Sequence, residues 1–156
     1  MAPTPRYRSK TAAAWLALLF GTLGAHRIYL YGPQDRLSWL YPLPTALGLA
    51  GVLRMRAVGV DDGAAALLIP MLGLMISIAM LSAIRLALTP DEKWDGRYNP
   101  AQPPRATGWG AVLAAIVALL LGGAALMATL AFSSQRFFEW QQESATSDQK
   151  SAPLTQ

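Results

Sequence analysis

Residues 9–32 read SKTAAAWLALLFGTLGAHRIYLYG, and the fold turns on how this stretch is taken. It is uncharged from Thr11 to Ala25, places a small residue at every fourth position (Ala13, Ala17, Gly21, Ala25) and closes on His26-Arg27-Ile28-Tyr29-Leu30. A hydrocarbon core about 30 Å thick needs about 20 helical residues. The uncharged part falls short of that, so a span must run from about Thr11 to Tyr31, with Arg27 snorkelling to the headgroups. Trp15 near one end and Tyr29 and Tyr31 at the other then occupy the positions of interfacial aromatics.

Composition points the same way. Of 156 residues, 53% are hydrophobic and 14% charged, against roughly 25% charged in an ordinary soluble domain. The net charge of +4 is small, and Lys and Arg sit beside apolar runs rather than in a block. This suits membrane lipids as partners and not nucleic acid. The absence of cysteine excludes disulfides, thiolate ligands and thiol nucleophiles, and a single histidine excludes a multi-histidine metal site within one chain. No cofactor or metal is expected. Arg6, Arg8 and Lys10 ahead of the apolar run have the outline of a signal peptide, but Thr22-Leu23-Gly24 is a poor cleavage site, which favours an uncleaved anchor.

Outward from this stretch, the sequence predicts an all-α, polytopic transmembrane helical bundle with four spans, at about 11–31, 37–53, 64–86 and 107–132. Residues 1–10 read as a short, basic, mostly unordered flank. Gly32 to Arg36 is a tight hairpin turn. The run 37–53 carries Pro42 and Pro44 early and is only just long enough to cross; a tilted or re-entrant hairpin arm is the alternative. Arg54 to Gly63 is a charged loop, and Asp61 or Asp62 before Gly63 caps the third helix. Pro70 lies inside that helix and kinks it. Thr89-Pro90-Asp91-Glu92 reads as a capping box that opens a short interfacial helix at 90–96, with Trp94 and Tyr98 toward the headgroups. A proline-rich linker follows to residue 106, and the longest uncharged run, 106–135, makes the last transmembrane helix (107–135). The Ser/Thr/Gln-rich tail 136–156 reads as disordered.

Two stripes stand out as helix-packing surfaces: Ala13, Ala17, Gly21 and Ala25, and Gly110, Ala114, Ala118 and Gly122. Helices in lipid associate through close backbone approach, which small residues at this spacing permit. His26 and Arg27 are the sharpest polar pair near the bilayer; they read either as a functional site or as a helix-end pair meeting lipid phosphate. Asp61-Asp62 and the group Asp91, Glu92 and Asp95 read as caps and as a solvated interfacial helix. No phosphate loop, nucleophile elbow or zinc motif occurs, so an enzyme is not expected.

The run Lys10-Thr11-Ala12-Ala13-Ala14 through Gly21-x-x-Gly24-x-His26-Arg27-Ile28-Tyr29-Leu30, then Gly32, resembles the TM-two domain family. In that family two membrane helices are joined by a short linker carrying Asp/His-Arg-Phe-Tyr-Leu-Gly. The likeness is good over 9–32 and looser to Arg85-Leu86; Ile28 stands in place of Phe, Tyr31 is inserted before Gly32, and the segment to Thr89 has room for two spans. The resemblance implies a bacterial member in the inner membrane, with residues 11–89 as the family region, a non-enzymatic role, and Gly21, Gly24, His26, Arg27, Tyr29, Leu30 and Gly32 as the motif facing the cytoplasm.

The expected function is therefore that of a non-catalytic integral membrane protein, a structural or interaction component working by helix–helix association with itself or another membrane protein. The alternative is a small transporter or channel subunit using His26, Arg27 and Asp61/Asp62. With four spans, the terminal flanks and middle loop hold Arg6, Arg8, Lys10, Arg54, Arg56, Arg136 and Lys150, and the other side holds Arg27, Arg36, Arg85, Lys93, Arg97 and Arg105. That split decides no orientation. The basic flank leans toward cytoplasmic termini, while the resemblance puts the linker, on the other face, in the cytoplasm.

Overall fold

The computed structural model describes residues 7–151, with side chains to Ser147. The described residues form helices joined by turns, with no strand among them. The elements are α1 (Lys10–Phe20), a 3-10 turn (Gly21–Leu23), α2 (Ala25–Tyr31), α3 (Arg36–Leu40), α4 (Pro42–Val58), α5 (Gly63–Ala87), α6 (Asp91–Tyr98) and α7 (Trp109–Ser151). The all-helical expectation holds. The four-span arrangement is not supported: two helices, α5 and α7, are long and apolar enough to cross a membrane, and the apolar helix at 10–23 is shorter.

The largest departure is in residues 9–32. Ser9 caps α1 through its hydroxyl, which accepts from the Ala12 amide. The helix then stops at Phe20, and Gly24 adopts φ +76° and ψ +11°, in the left-handed region that side chains other than glycine enter at a cost. Gly24 N–H closes the turn onto Gly21 O at 3.0 Å, and α2 runs back alongside α1. A straight helix would hold residues 9 and 29 about 30 Å apart; instead the Ser9 amide donates to the Tyr29 hydroxyl at 2.8 Å. The predicted single span at 11–31 is thus a helical hairpin whose two ends meet. Trp15 and Tyr29, expected at opposite headgroup layers, lie toward the same end of the bundle, Trp15 donating its Nε1–H to Gly110 O.

Helix α5 is the centre of the bundle. Ala17 and Leu18 of α1 pack with Ala79, Met80 and Ala83 of α5 and Ala118 of α7; one turn up, Ala14 meets Ala87, Ala111, Ala114 and Ala115. Alanine on all three surfaces lets the helices approach closely. At Gly21 a β carbon would stand 2.7 Å from Ala79 Cβ, and at Gly122 it would stand 2.7 Å from Met80 Cβ. Ala79 lies eight residues before Ala87, so α1 descends about 12 Å along α5 before the chain reverses. On the other side of α5, Gly48 and Gly51 of α4 press against Leu72 and Leu68.

The span expected at 37–53 is two helices, α3 and α4, bent at Tyr41 and Pro42. The prolines sit in the first turn of α4, where their missing donors cost nothing. Thr45 Oγ1 donates to Thr22 O at 2.8 Å, covering a carbonyl that the reversal leaves without a helical partner. Asp62 caps α5 through its carboxylate, accepting from the Ala65 amide at 3.1 Å. Pro70 is held within the continuous α5.

Four more expectations need correction. Helix α6 is capped at Pro90 rather than Thr89, whose hydroxyl donates back to Arg85 O at 2.7 Å, and it runs past Gly96 to Tyr98. Trp94 does not face outward: it is 2% exposed, enclosed by Ala13 and Leu30. The tail expected to be disordered continues α7 as helix to Ser151, with Glu139 taking hydrogen bonds from Gln135 and Arg136 at helical spacing; residues 152–156 lie outside the described residues. Likewise, of the flank expected to be mostly unordered, residues 1–6 lie outside the described residues, whereas Tyr7 to Lys10 are firmly held.

Candidate functional site

Polar side chains concentrate at one end of the bundle, where α1 and α7 begin, α5 ends and α6 lies across them. Lys10 is 8% exposed, and a buried ammonium needs partners. Its Nζ donates to Asp91 Oδ1 at 2.5 Å and to Thr89 O at 2.9 Å. Asp91 also accepts from the Thr107 amide (2.9 Å) and hydroxyl (2.6 Å), so one carboxylate ties α1, α6 and the approach to α7. Lys10 first, then Thr107, holds the Asp91 carboxyl down to about 2. One turn on, Asp95 accepts from the Arg105 amide at 3.0 Å, Asn99 Nδ2 at 3.0 Å and Tyr7 Oη at 3.3 Å. These bonds, led by the Arg105 amide, lower its carboxyl as well. The Arg8 backbone is gripped from both sides: its amide donates to Asn99 Oδ1 and its carbonyl accepts from Trp94 Nε1, both at 2.8 Å.

Beside this clamp a cavity of about 350 Å³ opens between α2, the last turns of α5 and α6. Arg27, Arg85, Lys93 and Arg97 line it, together with His26, Tyr31, Tyr41 and Tyr98, and no carboxylate is among the lining residues. Arg27 Nε donates to Asp35 Oδ2 at 2.8 Å, and its guanidinium lies 5.3 Å from the Tyr31 ring centroid. Tyr31 and Tyr98 share a hydrogen bond at 3.2 Å. Burial, reinforced by the Tyr31 hydroxyl, pushes the Tyr98 phenol up to about 12, so it stays a neutral donor or acceptor. His26 is 4% exposed, edge-on to Tyr41, and its Nδ1 has no hydrogen-bond partner.

The motif residues of 9–32 fall on both sides of the reversal. Gly21 and Gly24 make the turn, His26 and Arg27 line the cavity, Tyr29 and Leu30 hold α2 against α1 and α6, and Gly32 ends α2 at φ +89°. Asp61 and Asp62 are not with them. They stand at the opposite end of α5, where Asp62 pairs with Arg54 and Asp61 is fully open, 3.8 Å from Arg136. The structure therefore does not bring His26 and Arg27 together with Asp61/Asp62. The two small-residue stripes are occupied within the chain: Ala13, Ala17, Gly21, Ala114 and Ala118 are buried, Gly110 and Gly122 are half-buried against Thr11 and Met80, and Ala25 lies beyond the turn.

Sequence reasoning missed the clamp and the cavity. Lys10, Asp91 and Thr107 are far apart in the chain, and Arg85, Lys93 and Arg97 look individually like helix-end cations. The one available signal was a carboxylate pair at helical spacing, Asp91 and Asp95. Set against known proteins, the chain matches no family model, no curated protein and no solved structure.

Proposed function

We propose that this chain is a non-catalytic integral membrane protein of the bacterial inner membrane, a structural or interaction component with a helical bundle of its own. The observation that carries this reading is the outer surface of α5 and α7. In the most apolar window of each helix only 22% of residues are buried inside the fold, whereas the core helix of a soluble protein would be mostly covered. Leu67, Leu74, Leu81, Leu113, Leu119, Leu120 and Met127 all stand more than half exposed. A contiguous apolar surface of that extent needs an apolar solvent.

In this reading α1 and α2 form a re-entrant hairpin that enters and leaves on one face. The bent pair α3–α4, then α5, then α7 make three crossings. The described Lys and Arg residues then divide as Arg8, Lys10, Arg27, Arg36, Arg85, Lys93, Arg97 and Arg105 at the clamp end against Arg54, Arg56, Arg136 and, late in α7, Lys150 at the other. Eight against four supports a clamp end in the cytoplasm by the positive-inside rule. The opposed indications of the sequence fall away, because a hairpin that re-enters puts the N-terminal flank and the motif of the TM-two resemblance on the same face. Irregular backbone at depth, as at Gly21–Gly24, is tolerated where protein covers it, and α5 and Ser38 do so here.

The chain lacks cysteine, so single cysteines report sidedness cleanly. With a membrane-impermeant maleimide, Arg8→Cys, Pro33→Cys and Ala101→Cys are expected to label from the cytoplasmic side, and Val60→Cys and Glu143→Cys from the other. Labelling of Arg8→Cys and Val60→Cys from the same side would restore a full first span and overturn the proposed topology. Extraction of the protein from membranes by carbonate would overturn the integral-membrane reading itself.

A further inference from the structure

We propose that the basic cavity between α2, α5 and α6 is a binding site for a phosphate group. Four cations from three separate helices, Arg27, Arg85, Lys93 and Arg97, converge on a space of about 350 Å³ with no carboxylate in its lining. Arg27 has a carboxylate partner in Asp35, outside the lining; the ion pairs of the described residues give Arg85, Lys93 and Arg97 none. Three cations left unneutralised around one concavity repel one another, and an anion held between them removes that repulsion while gaining charge-assisted hydrogen bonds. Of the three carboxylates of α6, Asp91 and Asp95 are turned to the clamp and saturated by Lys10, Thr107, Tyr7, Asn99 and Arg105, and Glu92 is exposed, outside the lining and in none of the ion pairs.

His26 supplies a second and independent indication. It is 96% buried, it lines the same cavity, and its Nδ1 has no partner in the protein. A buried polar nitrogen of this kind is normally satisfied; Nδ1 is closed off from the open space of the cavity, so a turn of the ring toward it is what would bring a phosphate oxygen or hydroxyl within reach. Guanidinium groups match the planar pairs of oxygens that phosphate presents, and a space of this size accommodates a phosphate with part of whatever carries it. The chemistry is common to a phospholipid headgroup and to free phosphate. This inference rests on the cavity and not on the membrane topology, which the cysteine labelling tests separately.

Because His26 is the single histidine, its imidazole signals in protein labelled with 15N-histidine report the cavity alone. The full chain in maltoside micelles would be titrated with inorganic phosphate, and in nanodiscs of the phosphate-free lipid digalactosyldiacylglycerol with increasing phosphatidylglycerol. A saturable shift in both arms is expected for a site that reads phosphate whatever bears it. Saturation in the nanodisc arm alone identifies a lipid headgroup, and saturation with inorganic phosphate alone identifies a soluble anion. Arg85→Gln, Lys93→Gln and Arg97→Gln, all at exposed positions that leave the packing intact, are each expected to weaken the response about tenfold. No saturable shift in either arm, or an undiminished shift in the Lys93→Gln protein, whose folding the change cannot disturb, would overturn the proposal.

Discussion

Two stretches of this chain are alike in composition and opposite in outcome. Residues 10–31 and 109–132 are both rich in Ala, Leu and Gly, and both carry a small residue at every fourth position. The first turns back on itself at Gly24 and the second stays helical for 43 residues from Trp109 to Ser151. Glycine content does not explain the difference, since Gly122 and Gly123 sit in mid-helix without breaking it. What differs is the second half of each stretch. After Gly24 come Arg27, Tyr29 and Tyr31, each with a partner at the clamp end: Asp35, Ser9 and Tyr98. Between Gly110 and Phe132 the only polar side chain is Thr129, bonded to its own helix at Ala125 O. Without outside partners, backbone groups in an apolar setting are satisfied only by continuing the helix. Polar residues with somewhere to go make the reversal worthwhile.

Breaking the reversal should have the largest effect. Gly24→Val forces a β-branched residue into φ +76° and sets its β carbon 2.6 Å from Ser38 O. A loss of about 3 kcal/mol is expected from backbone strain and overpacking together, seen as a lowered Tm in detergent. An unchanged Tm would mean that α1 and α2 can join as one helix after all. Gly21→Leu comes next, at about 2–3 kcal/mol, because the added side chain meets the Ala79 backbone as well as its methyl. The same change at Gly122 meets Met80 Cβ at 2.7 Å, an atom the backbone holds, while Cγ can turn away, and should cost about 2 kcal/mol. Both effects belong to the single chain, so melting should shift without a change in oligomer size. A shift in size without loss of Tm would return the stripes to an intermolecular role.

The clamp is expected to be worth somewhat less than the reversal. Asp91→Asn leaves the buried Lys10 ammonium with the Thr89 carbonyl alone and should cost about 2 kcal/mol. Its pH signature has a definite sign. The Asp91 carboxyl is held at about 2 in the folded chain against an ordinary 3.8, so its contribution is complete above pH 4 and is lost as the pH falls through the interval to about 2. The wild-type chain should therefore lose part of its stability there, and D91N should lose less over the same interval. The smallest effect runs the other way. At Gly123 an added β carbon meets nothing within 4 Å, so Gly123→Ala should stabilise α7 by up to about 1 kcal/mol through helix propensity. The same change at Gly24 can only destabilise, which contrasts the two stretches with a single methyl group.

Much of the bundle could be read from residue order. Helices α5 and α7 are legible because an uncharged run of that length has few other fates. The Asp62 cap is legible because Asp before Gly63 and a run of alanines matches the local hydrogen-bond need of a helix start. The motif residues His26, Arg27 and Tyr29 are visible as polar groups inside an apolar setting. Their use is not visible, since Tyr29 is answered by Ser9 and Tyr31 by Tyr98, at sequence separations no periodicity records. Gly21 and Gly24 in particular suit a packing stripe and a turn equally well on local grounds.

Sequence by itself determined that the chain is helical, apolar on its outside and charged between its long apolar runs, because those properties follow from side-chain chemistry and local spacing. Tertiary structure decided that the first apolar stretch returns to its starting face, that the small-residue stripes pack within the chain, and that Arg27, Arg85, Lys93 and Arg97 enclose one cavity. Each of those outcomes depends on which distant groups can satisfy a hydrogen bond or a charge, and only the folded chain brings them within reach.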